Sequence, residues 1–506
     1  STPANTPTAT PTTPPTGTPS VELLAQKATF GPKPALLTEI AAATPAAWID
    51  QQLDHASIDD SVVEGAVSGY ATLTNTPAQN WAVLQSDGGQ TRVFGEVMHA
   101  TFLRAVYSPR QLYEVMCDFW FNHLNVHMFG SYSFRHHTAA YLRDVIRPHA
   151  LGRFADMLQA SAANPAMLAY LDNWRSNANS SAGVNENYGR ELLELHTLGI
   201  RGGAQVYTEV DVRNASYVMS GWSIDTSSDQ DVFRFRANYH WRDAVSLLGG
   251  EWSRPDRTGA DEATLTADAV SMIDFLARHR STAEYVCWKL ARRFVSDDPP
   301  EVLVQRLADE WQATDTDIAA VMRMLLNSAE FAASGGQKVR RGLETVVSYF
   351  RALEAVVDTN PVGDASEAVH SLSWYEGVLE RHGQRLFSKA TPDGYADTGP
   401  EWVSSDGMLR RWETAGLLAH SALADGGPAD PAVLLPSPLP ATMGELVDAM
   451  ILRATGSASS AAETTAYLGY LGMADTDPAA SHPFGNAGLL ADFAGLCLSR
   501  PSFQYR

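Results

Sequence analysis

The chain has 506 residues, 45% apolar and 19% charged, a composition ordinary for a globular protein with one large core or two to three smaller ones. With 58 acidic against 37 basic side chains its formal net charge is −21, and no cluster of Lys and Arg stands out, which argues against a phosphate-binding face and a nucleic-acid partner. Apolar runs are broken by charge well short of the ~18 residues of a membrane span, so no transmembrane segment is expected.

Residues 1–20 are Thr, Pro, Ala and Gly without charge or hydrophobic period, the composition of a flexible linker ahead of a domain over 21–506. No basic segment followed by an apolar one opens the chain. A signal peptide is therefore expected to have been removed, and the protein to be secreted, periplasmic or cell-surface. Helical periodicity then dominates: Val21–Phe30 and Lys33–Leu53 joined at Gly31-Pro32, Arg92–Tyr107 and Arg110–Asn122 divided by Ser108-Pro109, Thr138–Arg147, Leu151–Ala163, and a restart at Pro165 through Leu171. A polar loop from Arg175 to Val184 reads as a lid. Thr208 with Asp211 three residues on marks a capped helix start, and Val232–Arg236 alternates with period two, one arm of a small β-hairpin ending near Tyr239–His240. Helices resume at Leu265–His279, Ala283–Phe294, Glu301–Thr314, Asp317–Ser328, Leu343–Ala355 and Ser366–Leu379. The irregular stretch Leu386–Ser405 follows, then helices over Met408–Leu423, Met443–Ala454, Ala461–Leu471 and Leu489–Leu498. The fold class is mainly α: one large multi-helical domain with a small β-hairpin insertion. Cys117, Cys287 and Cys497 are too few and too far apart for a disulfide framework, and at least Cys117 and Cys287 read as buried hydrophobes.

The most informative stretch is Asn185 to Gly199. On a helix, Asn187, Glu191 and Glu194 fall within roughly 60° of one another while leucines cover the other sides, the pattern of an interior helix carrying two carboxylates. Interior acids must be paired, metal-bound or protonated. Glu191 and Glu194 are candidates for general acid and base, for metal ligands, or for ion pairs with Arg190 or Arg213; two acids so close split their pKa values and keep one protonated. His196, just before Gly199, reads as a positioning group or a helix C-terminal cap. Asp172 and Asn173 end a helix beside the polar loop.

His123 and His127 lie four apart, the spacing at which two imidazoles on one helix reach one metal ion, with Asp118 about a turn earlier. His136, His137, Glu191, Glu194, His196 and His240 are the ligand types available to complete such a site. Leu124 stands where a zinc-protease motif carries Glu, so hydrogen-bonding roles weigh more than a metal; His123 and Asn122 then remain candidates without one. No nucleophile elbow, phosphate loop or dinucleotide fingerprint occurs in a fitting context. Trp174, Trp222, Trp241, Trp374, Tyr395 and Trp402, near expected loops, could stack on sugar, although indoles more often pack cores.

These segments resemble the bacterial family catalogued as domain of unknown function 1800. The resemblance rests on Phe119 to His123, Pro165 to Asn173, Asn185 to Gly199 and Tyr207-Thr208 through Asp211 to Ser220-Gly221-Trp222. It extends to Phe233, Phe235 and His240, Lys289-Leu290 with Arg293-Phe294, Lys338-Val339, Pro392 to Tyr395 and Trp402 to Ser405. Family members usually read His-Asp, then Gly and Lys, where this chain has His240-Trp241 with Asp243 and Val245. The resemblance implies a helical, exported protein with a shared set of polar residues, and no activity.

The leading expectation is an exported hydrolase acting on a polysaccharide or envelope glycan by carboxylate acid/base chemistry without a cofactor. Glu191, Glu194, Asp172, His123, His196 and Asp118 are the catalytic candidates, and Asn122, Asn173, Asn187, Trp174, Trp222, His240, Tyr395 and Trp402 the substrate-binding ones. Two glutamates three apart are too near to flank a glycosidic bond alone, so a partner is expected from elsewhere, Asp118 or Asp172. The alternatives are a divalent-metal oxidoreductase or hydrolase built on His123, His127, Glu191 and Glu194, and a non-enzymatic surface scaffold whose acids pair with arginine.

Overall fold

Several helices begin where the sequence offers a side-chain oxygen to their free amide groups. Thr76, Thr208, Thr442 and Ser460 each open a capping box with the residue three positions on. At Thr208 the hydroxyl accepts the Asp211 N–H (3.3 Å) and the Asp211 carboxylate accepts the Thr208 N–H (2.8 Å). Asp211 also accepts the Leu248 N–H (2.7 Å), which makes it a cap and a loop anchor. The computed structural model describes residues 17–130, 132–203, 205–226, 231–358, 372–424 and 427–506; most of the Thr- and Pro-rich linker and the first residues of the helix expected from Ser366 lie outside them.

Among the described residues the protein is mainly α-helical, with two small antiparallel hairpins. Trp222–Asp225 pairs with Val232–Phe235, Trp222 opposite Phe235 and Ile224 opposite Phe233. A second hairpin, Val245–Leu247 with Trp252–Arg254, was not expected; three-residue strands are too short to show a period of two. Lys33–Leu53 is two helices, Pro34–Ala43 and Pro45–Leu53, because Thr44 turns to φ 69° before Pro45. The short helices Ser61–Val67, Ala71–Thr74 and Pro77–Leu84 were also missed.

Gly342–Ala352, buried at every position, and Gln111–His123, buried at all but two, form the centre. Arg280–Phe294 packs on Glu301–Ala313, and Ser405–Ser421 on Ala487–Leu498. A buried ion-pair network fastens the centre: Arg341 grips Asp118 and Arg293 grips Glu344, while Arg506 reaches Glu344 at 3.2 Å. Burial pushes the Glu344 carboxyl upward, but Arg293 and Arg341 more than offset it and hold it at about 2. The three cysteines are free and buried, and burial pushes the Cys117 and Cys497 thiols up to about 12, so they serve as apolar packing.

No described helix is long and apolar enough to cross a membrane.

Candidate functional site

The acid-bearing segment departs from a plain helix. Asn187–Glu191 is α-helical, then Leu192–His196 widens into a π turn, and the chain breaks at Thr197 with φ −128° and ψ −96°. A π turn inserts an extra residue and redirects the side chains after it, and such turns concentrate at functional sites. The segment can lie flat on the Glu209–Met219 helix because residue 189 is glycine: a Cβ there would sit 2.0 Å from Ser216 Oγ and 2.9 Å from the Val212 carbonyl oxygen. At its other end Gly199, at φ 69°, leaves room for the Tyr285 ring, which a Cβ would strike at 2.2 Å.

Glu191 and Glu194 are half-buried, not interior as expected. Neither is clamped by arginine. Arg190 makes a two-pronged pair with Glu209 (2.9 and 2.7 Å) and Arg213 turns to Glu186 (3.0 Å). Among the described residues no Lys or Arg lies within ion-pair distance of either acid, and Glu194 accepts a hydrogen bond from the Tyr207 hydroxyl (3.3 Å). The Glu191 carboxyl is pushed above its ordinary range by burial, then by the charges of Glu194 and Asp393, against the pull of Arg190. Asp393 belongs to the irregular loop after Leu386, and its charge also reaches Tyr170, Tyr285 and Lys289.

A lysine–histidine pair lies by the Tyr285 ring, which feels the Glu194 charge and has the Lys289 ammonium 5.6 Å from its centre. The Lys289 ammonium donates to His123 Nδ1 (2.9 Å), which makes Nδ1 the acceptor and leaves the proton on Nε2, facing the His196 carbonyl oxygen at 3.2 Å. Burial pushes Lys289 down to about 8, helped by Arg292 and opposed by Asp397 and Asp393. Burial, Lys289 and His196 hold His123 well below the usual histidine range. His196, buried with both ring nitrogens unpartnered among the described residues, is pushed down to about 3 by burial and by Lys289. Both imidazoles are neutral near pH 7.

Tyr170, whose hydroxyl donates to the Ala390 carbonyl oxygen (2.8 Å), connects the acids to a cavity of about 270 Å³ lined by Val126, His127, Thr138, Tyr170 and Asp172. Asp172 stands exposed at its rim at φ 56°, an uncommon conformation for a residue other than glycine. A second cavity of about 300 Å³, bounded by Asp118, Phe121, Asn122, Phe387 and Tyr395, lies under the same irregular loop.

The other expected site residues are structural. The Gln111–His123 helix ends at His123, so His127 is no longer one turn beyond it on a shared face and the anticipated metal pair does not form. Asp118 belongs to the Arg341 network, which removes it as the distant acid. Asn122 holds the loop by exchanging both amide groups with the Tyr395 backbone (2.7 and 2.9 Å). Asn173 donates to the Met219 and Trp222 carbonyl oxygens, and Asn187 to that of Leu171. Trp222 is buried, the buried Trp402 donates to the Ala396 carbonyl oxygen, and the Tyr395 hydroxyl donates to that of Arg385. His240 is buried with Nδ1 at 2.7 Å from the Ser220 carbonyl oxygen, and Trp174 stacks under the Arg175 guanidinium. The expected lid is tied down, since Ala178 N–H and Asn179 donate to the carbonyl oxygens of Tyr239 and Asn238.

Lys289, Asp393, Tyr170, Tyr207 and Tyr285 were not singled out for the site. Lys289 carried two signals: it stands in the Lys289-Leu290 segment of the resemblance, and it is one of only five lysines in the chain.

Residues 23–505 match the family model described as protein of unknown function (DUF1800). No curated protein and no solved structure matches the chain.

Proposed function

Since the chain belongs to the DUF1800 family, whose description carries no activity, we propose from the site itself that the protein is a hydrolase cleaving a polysaccharide or envelope glycan outside the cytoplasm by carboxylate acid/base chemistry. The observation that carries this reading is the Glu191–Glu194 pair: two half-buried acids free of arginine, one held above its ordinary pKa. Elsewhere in the molecule Glu114, Asp268 and Glu344 are met by guanidinium groups, whereas the buried Asp60 and Asp211 form no ion pair among the described residues.

In this reading Glu191, whose carboxyl is pushed above its ordinary range by burial and by Glu194, passes its proton to the glycosidic oxygen as that bond breaks. Asp393 takes the proton of the incoming water, whose oxygen bonds to the sugar carbon. Burial and then the negative charge of Glu194 raise the Glu191 carboxyl, and Asp172 and Tyr170 line the adjoining cavity. Tyr170, half-buried at that cavity, supplies an aromatic face of the kind that receives a sugar ring. An acidic surface favours a neutral or cationic glycan over a polyanion.

The test is release of new reducing ends from a panel of neutral, amino-sugar and peptidoglycan polymers, with chromatography of the products. Wild type releases oligosaccharides from at least one polymer, and Glu191→Gln lowers the rate about a thousandfold or more with the circular dichroism spectrum unchanged. Equal rates for wild type and Glu191→Gln, or no cleavage across the panel, overturn the reading.

A further inference from the structure

A second group of chemistry-bearing side chains lies away from the acids. His136 and His137 are consecutive residues of the turn Tyr132–His137, and both are buried. Their rings are 4.2 Å apart, and both turn to the carboxylate of Asp231. His136 Nε2 lies 2.9 Å from Asp231 Oδ2 and His137 Nε2 lies 3.8 Å from the same oxygen. One ligand-type atom from each of the three side chains falls within 4.8 Å of the others, and among the described residues no other His, Cys, Asp or Glu trio does so.

A plain hydrogen bond from His136 to Asp231 accounts for one imidazole. His137 turns to the same carboxylate, so two buried imidazoles converge on one acid. A divalent ion is held by such a convergence of two imidazoles and a carboxylate. Ligand atoms about 2.0–2.2 Å from a tetrahedral zinc ion stand roughly 3.3 Å from one another, and the two distances to Asp231 Oδ2 straddle that value. Asp231 is held at φ 42°, an uncommon conformation for a residue other than glycine, at the entry to the strand Val232–Phe235. The Trp81 ring packs against His136 (5.2 Å), so the imidazole has an apolar wall behind it.

We propose that His136, His137 and Asp231 form a binding site for one divalent transition-metal ion of borderline softness, zinc in the first place. Two imidazoles and one carboxylate suit zinc, iron(II), cobalt(II) and nickel(II) and disfavour calcium and magnesium, which want more oxygen. Three protein ligands leave a fourth position for water. The ion joins the turn Tyr132–His137 to the hairpin that begins at Asp231, so its binding is felt as added stability of the fold.

The experiment uses the full chain, stripped with a chelator and dialysed, then titrated with zinc chloride and with cobalt chloride. The expected result is one equivalent of zinc by calorimetry and elemental analysis, a rise in melting temperature on adding it, and with cobalt the visible absorption of a four-coordinate ion. Asp231→Asn and His137→Gln each weaken zinc binding about a hundredfold. Asp231→Asn keeps the shape and a hydrogen-bonding oxygen, so it reports on ligation even where the histidine variant folds poorly. Failure of the folded wild-type chain to take up one equivalent of zinc, cobalt, iron or nickel overturns the proposal, as does uptake unchanged in both variants. Neither outcome depends on glycan cleavage, since the readout is metal content and melting temperature.

Discussion

At the scale of single residues, Lys289 carries a charge where the surroundings disfavour one. Its ammonium meets an imidazole nitrogen, and the nearest help comes from Asp397 and Asp393 acting at longer range. In the unfolded chain a lysine keeps its proton to about pH 10.4, whereas in the folded protein Lys289 releases it near 8. Between those values the unfolded state binds more protons, so stability rises with pH, by at most about 1.4 kcal/mol per pH unit from this group. Urea denaturation of wild type should show that rise between pH 8 and 10, and Lys289→Met should lower its slope, the remainder coming from Lys27, which burial pushes down to about 7. An unaltered slope in the variant would show that Lys289 is not the group responsible. The same residue shows where reading the sequence stops. Glu191 and Glu194 are legible as a pair because they are three apart, but Lys289 reaches His123 across 166 positions, and nothing local announces that meeting.

At the scale of elements, boundaries with a local chemical cause are legible. Thr208 with Asp211 and Pro165 after Asn164 put helix starts where the sequence expects them. The π turn at Leu192–His196 is not, because one extra residue in a single turn leaves the leucine spacing looking helical. The expected helix end at Asn122 lies within one residue of the observed one at His123, and it is the His123–His127 pairing, which needs four more helical residues, that the fold does not contain. Gly189 is the element-scale test. A methyl group there meets both Ser216 Oγ and the Val212 carbonyl oxygen, so Gly189→Ala should cost about 1–3 kcal/mol by overpacking. Adding Ser216→Ala should restore only part of this loss, because the backbone contact remains. Denaturation midpoints of the single and double variants measure both effects; an undiminished midpoint in Gly189→Ala would mean that the acid-bearing segment does not rest on the Glu209–Met219 helix as described.

At the scale of the whole molecule, the centre is fastened by charge as well as by apolar packing. Asp118, Arg293, Arg341, Glu344 and Arg506 come from distant parts of the chain and close on one another out of water. Glu344→Gln leaves guanidinium groups buried without their carboxylate, and its expected cost is about 3–5 kcal/mol, read as a fall in thermal and urea midpoints; a change under about 1 kcal/mol would place the fastening elsewhere. The mainly helical class was legible from periodicity, and so was the strand Val232–Phe235, although its partner is Trp222–Asp225 before it and not a second arm toward Tyr239; this network was not, since Arg341 and Asp118 lie 223 residues apart. The contrast between that network and the unclamped acids underlies the functional reading, and it can be measured before any substrate is known. Carbon-13 NMR titration of the Glu191 side-chain carboxyl should give a midpoint above the ordinary glutamate value of about 4.3, moving down when Glu194→Gln removes its neighbour's charge. A midpoint at or below that value, unmoved by Glu194→Gln, would contradict the account.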